Sequence, residues 1–231
     1  MRSAIPKKFL PLEGRPLLMH TIERFHSFDS SIEIILVLPA EHHSLWNNLV
    51  NEYAFDIFHR MAAGGEERFH SVRAGLEMVR QSGRDAEHDG TKVPGIGPGQ
   101  VTEESLVAIH DGVRPLVSHD TIWRCYADAE EFGTAIPFVE PADSVRIIVG
   151  DDSRPLPRHE VRLIQTPQVF LSSLIVKAYD RPFEHTFTDD ATVAEAAGVK
   201  IHLTHGNSEN IKITTSEDLA VAHTLIRMLK Q

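Results

Sequence analysis

Short apolar runs that alternate with helical patterns constrain the fold of this 231-residue chain more than any other feature. Three runs, "IEIILVLP", "SLVAIHDGVRP" and "TAIPFVEP", have the length of buried strands and end in a proline or a polar tip. Between them, "RFHSVRAGLEMVRQ" and "SHDTIWRCYADAEEFG" carry apolar residues at helical spacing. The alternation predicts an α/β fold in which helices cover both faces of a mostly parallel sheet.

The remaining periodic segments extend the same pattern to both ends of the chain. Helices are predicted in "PLLMHTIERF", "AEHHSLWNNLVNEY", "TDDATVAEAAG" and "TTSEDLAVAHTLIRMLK", and strands in "DSVRIIV", "VKIHLTH" and "NIKIT". Ser118 is a predicted N-cap and Gly133 the predicted end of one helix; Thr188 and Gly198 have these roles in another.

The segment 82–105, "SGRDAEHDGTKVPGIGPGQVTEES", has no periodicity and is rich in Gly, Pro and charge. Its "GIGPG" faintly resembles a dinucleotide loop, but Pro98 lies inside it and no helical pattern follows. We therefore expect a surface insertion in a single domain that spans residues 1–231.

Composition excludes several classes of protein. The net charge of −10 disfavours a nucleic-acid coat, and no apolar run has the roughly 20 residues of a membrane span. The N-terminus has no signal-peptide pattern, and the single cysteine, Cys125, excludes an internal disulfide, so a cytoplasmic location is expected. The 14 histidines do not follow the spacing of a metal motif.

Polar loops after the predicted strands are the places to look for a ligand site, because such sheets bind ligands at the carboxyl ends of their strands. In "IHDGVRP", Asp111 follows a buried strand, Gly112 allows close backbone approach, and Arg114 offers a forked cation for phosphate. An aspartate beside a phosphate often holds Mg²⁺. A strand-end turn with a solvated ion pair explains the same residues equally well.

A second loop, "AGGEERFHSV", places Gly64 and Gly65 before a helix whose first turn carries Arg68 and Ser71. Free N–H groups there suit a nucleotide base or a phosphate, although an ordinary glycine turn and cap has the same sequence. Polar residues also gather in "IPKKF", "LIQTPQ", "FTDDA" and "SENIKIT".

Taken together and in order, these stretches resemble the 2-C-methyl-D-erythritol 4-phosphate cytidylyltransferase family of the non-mevalonate isoprenoid pathway. The matching pieces are "IPKKFLPLEGRPLLMHTI", "GGEERFHSVRAGL", "IHDGVRPLV", "DSVR", "QTPQVF", "TDDA" and "ENIKITTSEDLAVA". The resemblance implies a three-layer Rossmann-like nucleotidyltransferase fold that transfers a cytidylyl group from CTP to methylerythritol phosphate with Mg²⁺.

The resemblance also implies a role for each site residue. Catalytic roles fall on Lys7, Arg158 and Lys212, nucleotide binding on Gly64, Gly65, Arg68, Ser71 and Asp111, acceptor binding on Arg114, Ser144, Thr166, Thr188 and Glu209, and the metal on Asp111. Ser144 stands where a threonine is common and keeps the hydroxyl. Residues 140–158, framed by prolines, are similar to a β-arm that carries Arg158 into the partner of a homodimer.

The resemblance implies that family members start with an apolar strand and a Gly-rich loop before the "PKxF" lysine. Met1 of this chain falls at the end of that loop. We therefore expect both to be absent, the sheet to have unpaired strand edges, and the chain to be weakly active or inactive and less stable than a form that has them. Two other functions stay open: cytidylyl transfer to another polyol phosphate, such as ribitol or ribulose 5-phosphate, and nucleotide binding without catalysis.

Overall fold

A mixed five-stranded sheet with helices packed on it organises the chain in a computed structural model that describes residues 6–88 and 104–228. The strands are β1 Pro11–Leu12, β2 Arg15–Pro16, β3 Ile35–Leu38, β4 Arg60–Ala63, β5 Leu106–Ile109, β6 Thr134–Val139, β7 Val145–Val149, β8 Asp152–Leu156, β9 Leu163–Ile164, β10 Gln168–Leu171 and β11 Leu203–His205. The helices are α1 Leu17–Phe28, α2 His43–Glu52, α3 Arg68–His88, α4 His119–Phe132, α5 Ser172–Ala178, α6 Asp190–Ala196 and α7 Ser216–Met228.

Strand direction differs from the prediction of a mostly parallel sheet. The order is β11-β6-β10-β5, with β9 also paired to β6. Only β11 and β6 are parallel; β10 runs antiparallel to both of its neighbours, and β9 runs antiparallel to β6. Because β5 and β6 both oppose β10, they share one direction, so the inserted strand makes the sheet mixed. A separate pair, β3 and β4, is parallel.

A cavity of about 520 Å³ lies between β3 and β5, which are not paired with each other. Within the described chain β3 pairs only with β4, and β5 pairs only with β10. Apolar side chains from both strands line the cavity together with Phe25 of α1 and Leu76 and Val79 of α3. The expectation of unpaired strand edges agrees with this arrangement.

Two apolar cores lie on either side of that cavity. One joins Phe69 of α3 to Phe170 of β10 and to Tyr179, and the other packs Trp46 of α2 against Phe9. Each of these buried side chains contributes roughly 1.5–3 kcal/mol relative to exposure. The first of these cores fixes α3, β5 and β10 relative to one another, so the loops that follow β5 and precede β10 meet at a defined place.

Most predicted helices are confirmed, and the capping residue agrees with the prediction in one helix and differs in another. In α4 the Ser118 hydroxyl accepts from the Thr121 N–H at 3.0 Å, and Gly133 ends the helix at φ +82°, as predicted. The predicted cap of α6 at Thr188 is wrong: Asp189 accepts from the Thr192 N–H at 2.9 Å, since a carboxylate suits the helix N-terminus well.

Two further segments differ from the sequence pattern. "NIKIT" forms no strand, and its Ile213 N–H instead donates to the Val113 carbonyl at 3.0 Å. Helix α3 continues to His88, so the start of the predicted insertion 82–105 is helical, while 89–103 lie outside the described residues. Strands β7 and β8 form an antiparallel hairpin within 140–158. No helix of 6–88 or 104–228 is long and apolar enough to cross a membrane.

Candidate active site

Asp111, directly after β5, lies at the centre of a cluster of cations. Its Oδ2 lies 3.2 Å from Lys212 Nζ and 3.2 Å from Arg114 Nε, and its Oδ1 lies 3.9 Å from Arg68 Nε. The Asp111 side chain is only 14% exposed. The ion pair of Asp111 with Arg114 is local, and the fold adds Lys212 from about a hundred positions later in the chain.

The charge balance of this cluster favours an anionic ligand. Burial raises the pKa of Asp111, but Lys212, Arg68 and Arg114 outweigh burial and hold that pKa below its ordinary value. The carboxylate is thus ionised at neutral pH, and with Asp190, which pairs with Arg68, it leaves a surplus of one positive charge among the three cations. The surplus of cations is complementary to phosphate groups.

Arg114 and Asn210 join three loops beneath the cluster. Arg114 Nη1 donates to the Asn210 carbonyl at 2.7 Å, and Asn210 Nδ2 donates to the Thr166 carbonyl at 2.8 Å. Thr166 Oγ1 in turn accepts the Asp111 N–H at 3.1 Å. These bonds connect "IHDGVRP", "QTPQ" and "SENIKIT", three of the stretches that the sequence singled out.

Arg68 is already committed to a buried partner. Its guanidinium makes a bidentate ion pair with Asp190, at 2.7 Å from Nη1 to Oδ1 and 2.5 Å from Nη2 to Oδ2. Tyr179 Oη also donates to Asp190 Oδ1 at 2.7 Å. Burial lowers the pKa of Arg68, but the bond to Asp190 more than compensates, so the group stays charged. Arg68 therefore connects the start of α3 to the start of α6.

The glycine turn after β4 is closed by Ser71. The Gly65 N–H donates to Ser71 Oγ at 3.2 Å, and the Gly64 N–H donates to the Leu38 carbonyl at 2.8 Å. A Cβ at Gly65 would collide with Cβ of His70, so only glycine fits that position. The turn brings backbone close to the first turn of α3, as the sequence predicted.

The other predicted residues do not join the Asp111 cluster within this chain. Lys7 is exposed at the start of a 3₁₀ turn and forms no ion pair with Asp111 among the residues described. Arg158 is also exposed and donates from Nη1 to the Ala142 carbonyl at 2.8 Å, on the segment that carries exposed Ser144.

Two acceptor candidates lie at the ends of site loops. Thr188 is exposed beside the cap of α6. Glu209 is partly buried; its own backbone N–H and the Asn207 amide, at 3.1 Å, stabilise the carboxylate and lower its pKa. Neither side chain contacts Asp111 through a hydrogen bond or ion pair in the described structure.

Sequence reasoning missed the residues that fix the cluster from behind: His110, Tyr179, Asp190 and Asn210. Their signal was present, since His110 and Asn210 lie inside quoted motifs and Asp190 belongs to "FTDDA". A periodic pattern marks Tyr179 only as apolar core, so its hydroxyl contact required the fold.

Asp111 is the only predicted metal ligand, and a single carboxylate suits Mg²⁺ under one condition. No group of three or more His, Cys, Asp or Glu side chains with metal-binding geometry occurs among residues 6–88 and 104–228. Mg²⁺ commonly binds through one or two carboxylates and completes its shell with water and substrate phosphates. The ionised Asp111 fits that mode if a bound nucleotide supplies phosphate oxygens.

Comparison with known proteins identifies the family. Residues 1–94 and 98–228 match the IspD family, described as 2-C-methyl-D-erythritol 4-phosphate cytidylyltransferase. The enzyme of that name from Bacteroides fragilis is 45% identical over 226 residues, covering 98% of this chain and 93% of the relative. The one from Alkaliphilus oremlandii is 34% identical and covers 97% and 89%.

Solved structures agree with these sequence matches. The 2-C-methyl-D-erythritol 4-phosphate cytidylyltransferase from Thermus thermophilus superposes with a TM-score of 0.72 at 28% identity, covering 96% of this chain and 94% of that one. The 4-diphosphocytidyl-2C-methyl-D-erythritol synthase from Anaerococcus prevotii gives 0.76 at 27% identity, covering 97% and 92%. This chain therefore belongs to the 2-C-methyl-D-erythritol 4-phosphate cytidylyltransferase family, with its α/β nucleotidyltransferase fold.

Proposed function

We propose that this chain transfers the cytidylyl group of CTP to 2-C-methyl-D-erythritol 4-phosphate and releases pyrophosphate. The observation that carries the proposal is the cluster of Lys212, Arg114 and Arg68 around Asp111, at the carboxyl end of β5, in a chain of this family. An anion-binding cluster at that edge of a sheet suits two phosphorylated substrates.

In the reaction an acceptor phosphate oxygen attacks the α-phosphorus of CTP. A new P–O bond forms while the bond to the departing pyrophosphate breaks, and pyrophosphate keeps the electron pair. Because the attacking phosphate is already an anion, no side chain has to remove a proton. The protein has to align two anions that repel each other and to offset the charge that builds up in the transition state.

Lys212 and Arg114 would bind the acceptor phosphate. Both are cations that are held side by side, each 3.2 Å from Asp111, before a substrate binds. Ser144, Thr166, Thr188 and Glu209 would surround the rest of the acceptor. The nucleotide would lie against the Gly64–Gly65 turn with Ser71, and Arg68 would contribute charge from the start of α3. Lys7 would reach the α-phosphate.

Asp111 would hold Mg²⁺ together with the nucleotide phosphates. When bound, the ion supplies charge neutralisation on phosphate oxygens. Chelation of divalent ions should therefore abolish turnover, and added Mg²⁺ should restore it.

Arg158 would act across a homodimer. Its exposed position on the 140–158 segment, away from Asp111 in its own chain, supports a role at the site of a partner. The exposed apolar residues of the neighbouring hairpin, Ile148 and Val149, supply surface that such a contact would bury. A cytoplasmic location stays a prediction from composition.

The test is pyrophosphate release from CTP with methylerythritol phosphate, compared with ribitol and ribulose 5-phosphates and with ATP, GTP and UTP. Preferred turnover of CTP with methylerythritol phosphate is expected. A preference for another polyol phosphate would keep the chemistry and replace the acceptor. Saturable CTP binding with no turnover on any acceptor would favour the non-catalytic alternative.

A further inference from the structure

His110 and Thr166 form a pair directly behind Asp111 that none of the assigned roles explains. His110 Nδ1 lies 3.0 Å from Thr166 Oγ1, and His110 Nε2 lies 3.0 Å from the Arg114 carbonyl oxygen. Phe25 packs edge-on against the imidazole at a centroid distance of 4.9 Å. Thr166 itself is buried, at 5% exposure.

The available partners determine where each hydrogen lies. A carbonyl oxygen can only accept, so His110 Nε2 must carry a hydrogen and donate it to Arg114. A neutral imidazole carries one ring hydrogen, so with Nε2 donating to the carbonyl, Nδ1 is left as an acceptor towards Thr166 Oγ1, 3.0 Å away. The single hydroxyl hydrogen of Thr166 is therefore donated to His110.

The protein backbone uses one of the two acceptor lone pairs of Thr166 Oγ1. That oxygen accepts the Asp111 N–H at 3.1 Å. A hydroxyl has one hydrogen, and that hydrogen is already used. Thr166 consequently has no hydrogen left to donate to an acceptor phosphate.

We propose that His110 and Thr166 are positioning residues: the Arg114 carbonyl orients the imidazole, and His110 fixes the Thr166 hydroxyl as an acceptor for the Asp111 backbone, so that the loop presents Asp111 to the substrates. This inference rests on the role proposed above for Asp111. It replaces direct binding of the acceptor by Thr166 with an action through Asp111.

Four single variants distinguish a positioning role of Thr166 from direct binding of the acceptor. In His110→Asn the side-chain amide can reach the Nδ1 position, whereas in His110→Gln it reaches the Nε2 position and leaves the Thr166 hydroxyl without its acceptor. Thr166→Ser keeps the hydroxyl, and Thr166→Val removes it at equal size. We expect Asn and Ser to keep kcat within about threefold, and Gln and Val to lower kcat by about 10–100-fold with little change in the acceptor KM.

The double variant His110→Gln/Thr166→Val provides the decisive measurement. If the two residues act as one unit, the double variant loses no more than about threefold beyond the worse single variant. If Thr166 instead donates to the acceptor, Thr166→Val raises the acceptor KM and its effect multiplies with that of His110→Gln, which overturns the proposal.

Two controls keep the result interpretable. Thermal unfolding of all five variants is measured in parallel; a loss of kcat that follows the melting temperature rather than the retained hydrogen bond also overturns the pair. Asp111→Asn is assayed alongside. Full activity of that variant, or no turnover by the unmodified chain, contradicts the proposed function rather than the hydrogen-bond assignment.

Discussion

The cluster around Asp111 and the hairpin of β7 and β8 contrast sharply, although both carry residues with proposed roles in catalysis. Asp111 is 14% exposed and contacts Thr166 and Lys212 from two distant loops and Arg68 from the start of α3. In the hairpin, Ile148 is 72% exposed and Val149 56% exposed, and within the described chain the two strands pair only with each other. The cluster is held by contacts within its own chain, whereas the hairpin has exposed apolar side chains.

This difference suggests that the cluster binds substrates within one chain and that the 140–158 segment acts on a second chain. Charges that must be in place before substrate arrives are held by buried hydrogen bonds, which limit the cost of ordering on binding. The support of Arg158 is instead an exposed bond to the Ala142 carbonyl. Variants in the cluster should therefore act within one chain, and variants in the 140–158 segment should act only through a second chain.

The largest expected effect breaks the cluster itself. Lys212→Met should lower kcat/KM by about 10²–10³-fold, because it removes a preformed cation from a site where charge develops. Its side chain is 46% exposed, so the melting temperature should change little. Lys177→Met, an exposed lysine on α5, is the matched control. Steady-state kinetics that show equal activity for both variants would contradict a role for Lys212.

A comparison of two Arg–Asp pairs tests how much the buried pair beside the cluster contributes to the free energy of unfolding. Asp190→Ala leaves Arg68 without its buried partner and should cost about 3 kcal/mol of unfolding free energy. Asp180→Ala removes a surface pair with a single bond, 2.6 Å from Arg80 Nη2, and should cost under about 1 kcal/mol. Denaturant unfolding measures both, and equal costs would show that burial does not matter here.

The 140–158 segment is tested by mixing subunits. Arg158→Ala and Lys212→Met should each be impaired alone. In mixed dimers of the two variants, one site regains both residues if Arg158 acts across the interface, so co-expression should restore up to about a quarter of normal activity per site. No recovery in purified mixed dimers would place Arg158 in its own chain's site.

The smallest expected effect concerns the folding of a single chain. Ile148→Ser should change the unfolding free energy of the monomer by no more than about 0.5 kcal/mol, because the side chain is mostly solvated. Sedimentation should nevertheless show weaker self-association if the hairpin lies at an interface. Unchanged association would remove the hairpin from the proposed dimer contact.

Local sequence predicted most of the helices and several site residues. Apolar periodicity indicated α1, α3 and α4, and the cap at Ser118 and the stop at Gly133 follow from backbone chemistry within a few residues. Glycine at position 65 and the Asp111–Arg114 pair are likewise local, since their partners lie within six residues. Such features depend on neighbours along the chain, which a sequence pattern contains.

Tertiary structure decided what depends on distant neighbours. The direction of β10, the failure of "NIKIT" to form a strand and the pairing of Arg68 with Asp190 all result from contacts between remote segments. The sequence by itself determined the family, the α/β pattern and the loops that carry polar residues. Only the fold brought Lys212 to Asp111 and placed His110 behind it, because a charge or a hydroxyl acquires its role from the groups that surround it in space.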